Sequence, residues 1–226
     1  MLEVLCHSLD TSMTLPDEQS LLNLFVQLLP AERWQELEGH KRPEQFYSLR
    51  LVVAMMLLQR LDERGTQQQV VQKLAMGELN QVTSCARVQK GEISCNTGGY
   101  ARACGRVEPE LAEQVCDEIL AELSKRIEPA AGKQRPVLIV DGTSISLEHT
   151  ERVLKHYPPS RNQYGEAHWG KIRVVGFHDA RTAIAQRPQW GPMYGPKTVS
   201  EQQLAEQALE QTPLDSVIVG DGNFCV

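Results

Sequence analysis

The run Val137-Leu138-Ile139-Val140 leads into Asp141-Gly142-Thr143, and later in the chain Val217-Ile218-Val219 leads into Gly220-Asp221-Gly222. Short apolar runs rich in β-branched residues and bounded by glycine read as buried strands. Each delivers an aspartate where it leaves the core. If the two strands are neighbours in one sheet, the carboxylates meet. Two carboxylates held close repel, and a divalent cation between them relieves the repulsion. Hard cations such as Mg²⁺ favour such oxygen ligands. The competing reading is local, because an aspartate at a strand end also accepts hydrogen bonds from nearby backbone N–H groups.

What precedes Val137 reads as helical. Pro16-Asp17-Glu18 opens a helix with Leu21, Leu24, Phe25 and Leu28 on one face, ended by Pro30. Residues 31–37 add two turns. Pro43-Glu44 opens a longer helix with Phe46, Leu49, Val53, Met56, Leu57 and Leu61 at helical spacing, closed by Gly65. Its middle is apolar nearly all round, as in the centre of a bundle. Thr66 is an N-cap for residues 67–76. Residues 80–107 are broken by glycines and carry Arg87, Lys90, Arg102 and Arg106. Pro109 to Ile127 is the cleanest helix, with acids at its start and Lys125 and Arg126 at its end. The Pro- and Gly-bearing stretch 128–136 is a linker. The domains expected are therefore 1–130, helical, and 131–226, sheet-bearing.

After the linker the pattern changes to strands at 137–147, 172–177 and 182–187, the last two joined by a short hairpin. Residues 188–196 read as a Pro- and Gly-rich loop. A helix at 199–211 turns Leu204, Ala205, Ala208 and Leu209 inward, and 217–219 is the last strand. A helical crossover before a buried strand sets that strand parallel to an earlier one.

Charge is uneven. The chain of 226 residues carries a formal net charge of -6, yet from Arg152 to Lys197 eight Lys/Arg stand against two acids. From Glu201 onward there are five acids and no Lys or Arg. A basic block within an acidic chain is the footprint of phosphate binding, or else an ordinary solvated face. The six cysteines include no Cys-x-x-Cys pair, and the start lacks the pattern of a signal peptide. The longest apolar run, Leu51 to Leu58, is too short to span a bilayer. A cytoplasmic protein with free buried thiols and no membrane partner is expected.

The tetrapeptide Val140-Asp141-Gly142-Thr143, the segment Val219-Gly220-Asp221-Gly222-Asn223-Phe224, and between them His168-Trp169-Gly170-Lys171-Ile172-Arg173-Val174 with Phe177-His178-Asp179 form an ordered set. Gly98-Gly99-Tyr100-Ala101-Arg102-Ala103 lies upstream. Together they resemble the RNase H-like catalytic core of DDE (Asp-Asp-Glu) transposases, and more narrowly bacterial insertion-sequence transposases of the IS-four family. The resemblance covers most of the chain. It implies an α/β catalytic region of RNase H-like type, with an incomplete mixed sheet, behind an all-helical N-terminal domain. It implies Asp141 and Asp221 as catalytic metal ligands for Mg²⁺, with Mn²⁺ as the alternative. The activity implied is DNA transposition: metal-dependent phosphodiester cleavage, then strand transfer, at the ends of a mobile element. The partners implied are double-stranded DNA, as terminal inverted repeats and target, and further copies of the chain in a homo-oligomer.

The sequence departs from the family pattern in two places. The family's third acid, a glutamate in a Tyr-Arg-Glu-Lys signature, lies well downstream of the second aspartate. This chain runs five residues past Asp221 without it. Glu201, Glu206 and Glu210 precede Asp221 and do not take that place. Where the family often has arginine after the second aspartate, Gly222 stands here. An incomplete transposase, inactive alone, is the expectation. The alternatives are a non-catalytic DNA-binding or multimerising fragment able to inhibit a full-length enzyme, and a different RNase H-like metal nuclease. In an incomplete sheet the strand before Asp221 would be an open edge, which invites pairing with another chain.

Within the basic block, Lys171, Arg173 and Lys197 are the candidate DNA phosphate contacts. Arg161, Tyr164 and Trp169 are candidates for stacking on bases, or the tryptophan packs under a loop. His156, His168 and His178 have no spacing that matches the aspartates and read as surface or hairpin histidines. Thr143 is read as bonding to local backbone. The helix 67–76 with the basic stretch 85–106 is either a DNA reader or part of a structural bundle.

Overall fold

The computed structural model describes residues 17–39, 46–62, 65–127 and 135–224. It divides into two compact units, Met1–Ala112 and Glu113–Val226. The division falls near the start of the long helix at 109–127, so most of that helix groups with the sheet. Most of the linker expected at 128–136 lies outside the described residues, as do Pro43, Glu44, Cys6 and Cys225. Among the described residues no helix is long and apolar enough to cross a membrane.

The first unit is helical. Helix α1 (Glu18–Leu28) starts where the Asp17 side chain accepts the Ser20 N–H at 2.8 Å. Helix α2 (Ala31–Glu38) follows Pro30. Helix α3 (Leu49–Leu61) begins later than the proline signal suggests, because Ser48 supplies the N-cap and Glu38 accepts the Leu49 N–H. Phe46 is thereby left outside the helix, edge-on to Tyr47. The buried face is Leu51, Val52, Met55 and Leu58, while Leu57 and Leu61 are exposed. An almost wholly apolar helix has no unique stripe, so its sequence could not fix this rotation. Helix α4 (Gln67–Ala75) opens with a full capping box between Thr66 and Gln69. The stretch that resists reading from sequence holds two short helices, α5 (Ala86–Gln89) and α6 (Gly98–Cys104). Tyr100 of α6 is fully buried, and burial raises its phenol well above its ordinary pKa. The free thiols of Cys85 and Cys104 are part-buried, and those of Cys95 and Cys116 exposed, which corrects the expectation of buried cysteines.

Helix α7 (Pro109–Ile127) spans the range its sequence predicts. The second unit is then built on a five-stranded mixed sheet. Strand β1 (Val137–Ser146) pairs antiparallel with the long strand β3 (Gly165–Asp179). Between them lie helix α8 (Glu151–His156), capped by Thr150, and strand β2 (Pro159–Asn162), which forms a hairpin with the first part of β3. None of α8, β2 or that part of β3 was expected, since residues 161–169 are exposed throughout and show no alternation.

The predicted strand at 182–187 is not formed. Asp179 accepts the N–H groups of Arg181 and Thr182 at 2.7 and 3.0 Å, and Ala183 adopts a φ of 57°. Burial opposes the charge on Asp179, but those N–H groups and the Arg181 guanidinium outweigh it and lower its pKa. The tight turn leaves only a single bridge, His178 to Ala185. The third antiparallel strand is instead β4 (Gln189–Pro192), in the segment read as a loop. Prolines at 188 and 192 disguise it, and an edge strand tolerates them. Helix α9 (Glu201–Leu209) has a Ser200–Gln203 capping box and leads to β5 (Val217–Val219), parallel to β1. At this level of the sheet β3 lies between β4 and β1, and β1 between β3 and β5.

Leu204, Ala205 and Ala208 of α9 pack on Leu138, Val140, Val175 and Phe177, and this is the core of the sheet unit. Leu209, expected inward, is 41 % exposed. Leu204→Ala should therefore cost about 2–5 kcal/mol in a chemical unfolding measurement. Leu209→Ala should fall within about 0.5 kcal/mol of wild type.

Candidate functional site

The pairing of β1 with β5 runs Val137 to Val217, Leu138 to Ile218 and Ile139 to Val219. Asp141 lies two residues beyond Ile139, and Asp221 two residues beyond Val219. The two aspartates thus follow neighbouring parallel strands in equal step. Asp141 does not end its strand: β1 continues to Ser146 against β3, close to the expected 137–147. It stands where β5 stops, and both carboxylates are exposed.

Side chains alternate along β1. Leu138 and Val140 turn into the core beneath α9, and Asp141 is out of step with them. Asp141 Oδ1 accepts the Gly142 N–H at 2.8 Å. Asp221 Oδ1 accepts the Asn223 N–H at 2.9 Å, and its Oδ2 faces Asn223 Nδ2 at 3.4 Å. Both aspartates therefore make the local backbone bonds of the competing reading. An ionised carboxylate has about four lone-pair sites, so these bonds leave acceptor capacity on each. Two oxygen donors suit a hard cation. Among the described residues no three His, Cys, Asp or Glu side chains gather as a metal site.

Asp221 is held from behind. A Cβ at Gly220 would lie 2.6 Å from Val140 Cγ1 and 3.2 Å from Phe224 Cβ, so glycine permits this closeness of β5 to β1. The 3₁₀ turn Gly222–Phe224 follows, and Phe224 packs on the core. Gln202 of α9 donates to the Asn223 carbonyl at 2.8 Å and ties the helix to that turn.

Glu201, set aside from the sequence because it precedes Asp221, lies against Gly142, where a Cβ would stand 3.2 Å from its Cδ. It faces Arg173 Nε at 3.6 Å, and Arg173 Nη1 donates to the Val199 carbonyl at 2.9 Å. Nothing in the spacing of residues 142, 173 and 201 signals this meeting, which depends on sheet register and the seating of α9. Arg173 is thus engaged within the fold before any ligand arrives. Lys171 sits opposite Ser146 on β3, and Lys197 is exposed in the loop before α9. His156 ends α8, His178 pairs with Ile139, and His168 stacks on His149; none of these contacts involves the aspartates. Thr143 is exposed on β1.

Comparison of the chain with protein-family models, curated proteins and solved structures finds no match. Gly220→Ala should force β5 and its aspartate away from Val140. Overpacking of this kind costs about 1–3 kcal/mol, to be read as a lowered midpoint in thermal unfolding.

Proposed function

We propose that the chain is the DNA-handling core of a DDE-class transposase, with an RNase H-like sheet and Asp141 and Asp221 as two of its metal ligands. The observation that carries this reading is the parallel pairing of β1 with β5, which sends both aspartates out in equal step. Support comes from the strand order: β1, β3 and β4 antiparallel, the crossover helix α9, then β5 beside β1, with the hairpin strand β2 in addition. The helical first unit is the candidate reader of terminal inverted repeats in this scheme.

Asp141 and Asp221 would hold Mg²⁺ or Mn²⁺ through their remaining lone pairs. The bound cation supplies Lewis-acid polarisation of a phosphodiester and a more acidic water. The chain's own part is positional. Gly220 sets the distance between the strands, Asn223 orients the Asp221 carboxylate, and Gln202 fixes Asn223. Lys171 and Lys197 draw DNA phosphates towards the sheet without reading sequence. Arg173 adds charge there while holding the start of α9.

Titration with Mn²⁺, followed by electron paramagnetic resonance, tests the site. Asp141→Asn and Asp221→Asn should each weaken binding at least about tenfold, since each removes an anionic oxygen ligand. Equal binding by both variants and wild type removes the metal site. Alanine at Lys171, Arg173 and Lys197 together should weaken DNA binding uniformly across sequences. The plot of log K against log salt should become shallower by about 0.9 for each phosphate that is no longer neutralised. A Lys171→Ala, Lys197→Ala double variant separates that effect from the loosening of α9. DNA binding without any aspartate-dependent metal binding would leave the non-catalytic multimerising reading, which the edge of β5, unpaired among the described residues, favours.

A further inference from the structure

The hairpin of β2 and the first part of β3 is buried only at its base, at Pro159 and Gly170. All of residues 161–169 are exposed. At its turn Tyr164 is 88 % exposed, and on its returning strand Trp169 is 49 % exposed. Trp34 of the first unit, by contrast, is 3 % exposed. Trp169 is therefore not a residue packed under a loop.

Its ring is nonetheless held in place. His149 and His168 stack in parallel with centroids 3.9 Å apart, and the His149 Nδ1–H donates to the His168 carbonyl. Trp169 stands at 89° to His168 with centroids 4.7 Å apart, and at 90° to His149. Edge-to-face neighbours fix an aromatic ring without enclosing it. The parallel imidazole planes also argue against a metal between these two histidines, because an imidazole binds metal along its own plane. What remains is a rigid indole with open ring surface and a second aromatic at the hairpin tip.

The charges nearby select the occupant. Lys171 lies two residues beyond Trp169 on the same strand and hence on the same face. Arg161 lies on β2, with Glu166 opposite it. Arg152 and Lys155 come from α8, which packs against β3. Exposed aromatics interleaved with cations match a strand whose bases are unstacked and whose phosphates lie between them. In an intact duplex the bases are already stacked on one another and present no free face.

We propose that this hairpin is a stacking platform for single-stranded DNA, with Trp169 and Tyr164 taking unpaired bases and Arg161 and Lys171 meeting the phosphates. It deepens the function proposed above and rests on it for the choice of DNA. It specifies the state of the substrate, an opened or cut end whose bases are free.

The test uses the full chain in chelator, so that no step depends on a metal. With Trp190→Phe as background, Trp169 is the remaining exposed indole among the described residues. An oligothymidylate of about twelve nucleotides, within the usual span of such sites, should quench its fluorescence saturably. A duplex of equal length should not. Trp169→Ala and Tyr164→Ala should each weaken binding of a labelled oligothymidylate roughly fivefold or more, and Trp169→Phe, which keeps a ring, should largely restore it. Tyr164, at the exposed tip, serves even if Trp169→Ala fails to fold. Unchanged affinity in the folded alanine variants, equal quenching by duplex, or preference for oligouridylate overturns the proposal. Loss of Mn²⁺ binding with single-strand binding intact would count against the metal site alone, and the reverse result against the hairpin alone.

Discussion

The contact on which the sheet unit depends is the close approach of β5 to β1 at Gly220. Strand β5 has only three residues, and Val217, Ile218 and Val219 are each 39–48 % exposed. Side-chain burial therefore does little to hold it. It is fixed by backbone pairing to β1, by the Val217 N–H bonding the Pro136 carbonyl at 2.8 Å, and by Phe224 anchoring the turn beyond it. A net intramolecular hydrogen bond contributes only about 0.5–1.5 kcal/mol, so a strand this short needs every one of these ties. Any side chain at 220 would meet Val140 and open the gap between the strands.

The same pair fixes the role of α9. A parallel neighbour demands a crossover, and the crossover helix is what covers Leu138, Val140, Val175 and Phe177. Its first turn reaches Gly142 through Glu201 and the turn after Asp221 through Gln202. One helix thus supports both candidate ligands from behind, while the carboxylates face outward. Among the described residues the outer edge of β5 is unpaired, with an apolar run of the kind that pairs with a further strand.

The parallel neighbour of β1 and the helix α9 are legible in the sequence because the signals are local and strong. Four apolar residues ending in Asp-Gly, the helical stripe of Leu204, Ala205 and Ala208 and a repeat of the strand motif leave little choice of order. The long helix α7 is legible for the same reason. The rest fails where local pattern is silent or deceptive. β4 hides between Pro188 and Pro192, and the run at 182–187 looks extended but is turned by the hydrogen bonds to Asp179. The β2–β3 hairpin is exposed throughout, so it carries no alternation to read. For the candidate site, the sequence supplies Asp141 and Asp221 but neither Glu201 nor Gln202. Their positions follow from register and helix seating, which are tertiary facts.

Register also redistributes the charge that the sequence displays. Of the eight cations between 152 and 197, Arg173 faces Glu201, Arg181 faces Asp179, and Arg187 faces Glu113 and Asp117 of α7. Two of the acids that neutralise the block therefore come from outside it, and a third from the acidic segment that follows. Arg152, Lys155, Arg161, Lys171 and Lys197 remain, with Glu166 across the hairpin from Arg161. Four of these five lie on α8, β2 and β3, and the fifth in the loop before α9. A field concentrated there acts on phosphate within about a Debye length, roughly 8–10 Å at ordinary ionic strength. On the proposed reading it would draw a polyanion to the exposed aromatic hairpin as well as to the sheet. The basic block, broad along the sequence, is local in the fold, centred where the chain also leaves its aromatic rings uncovered.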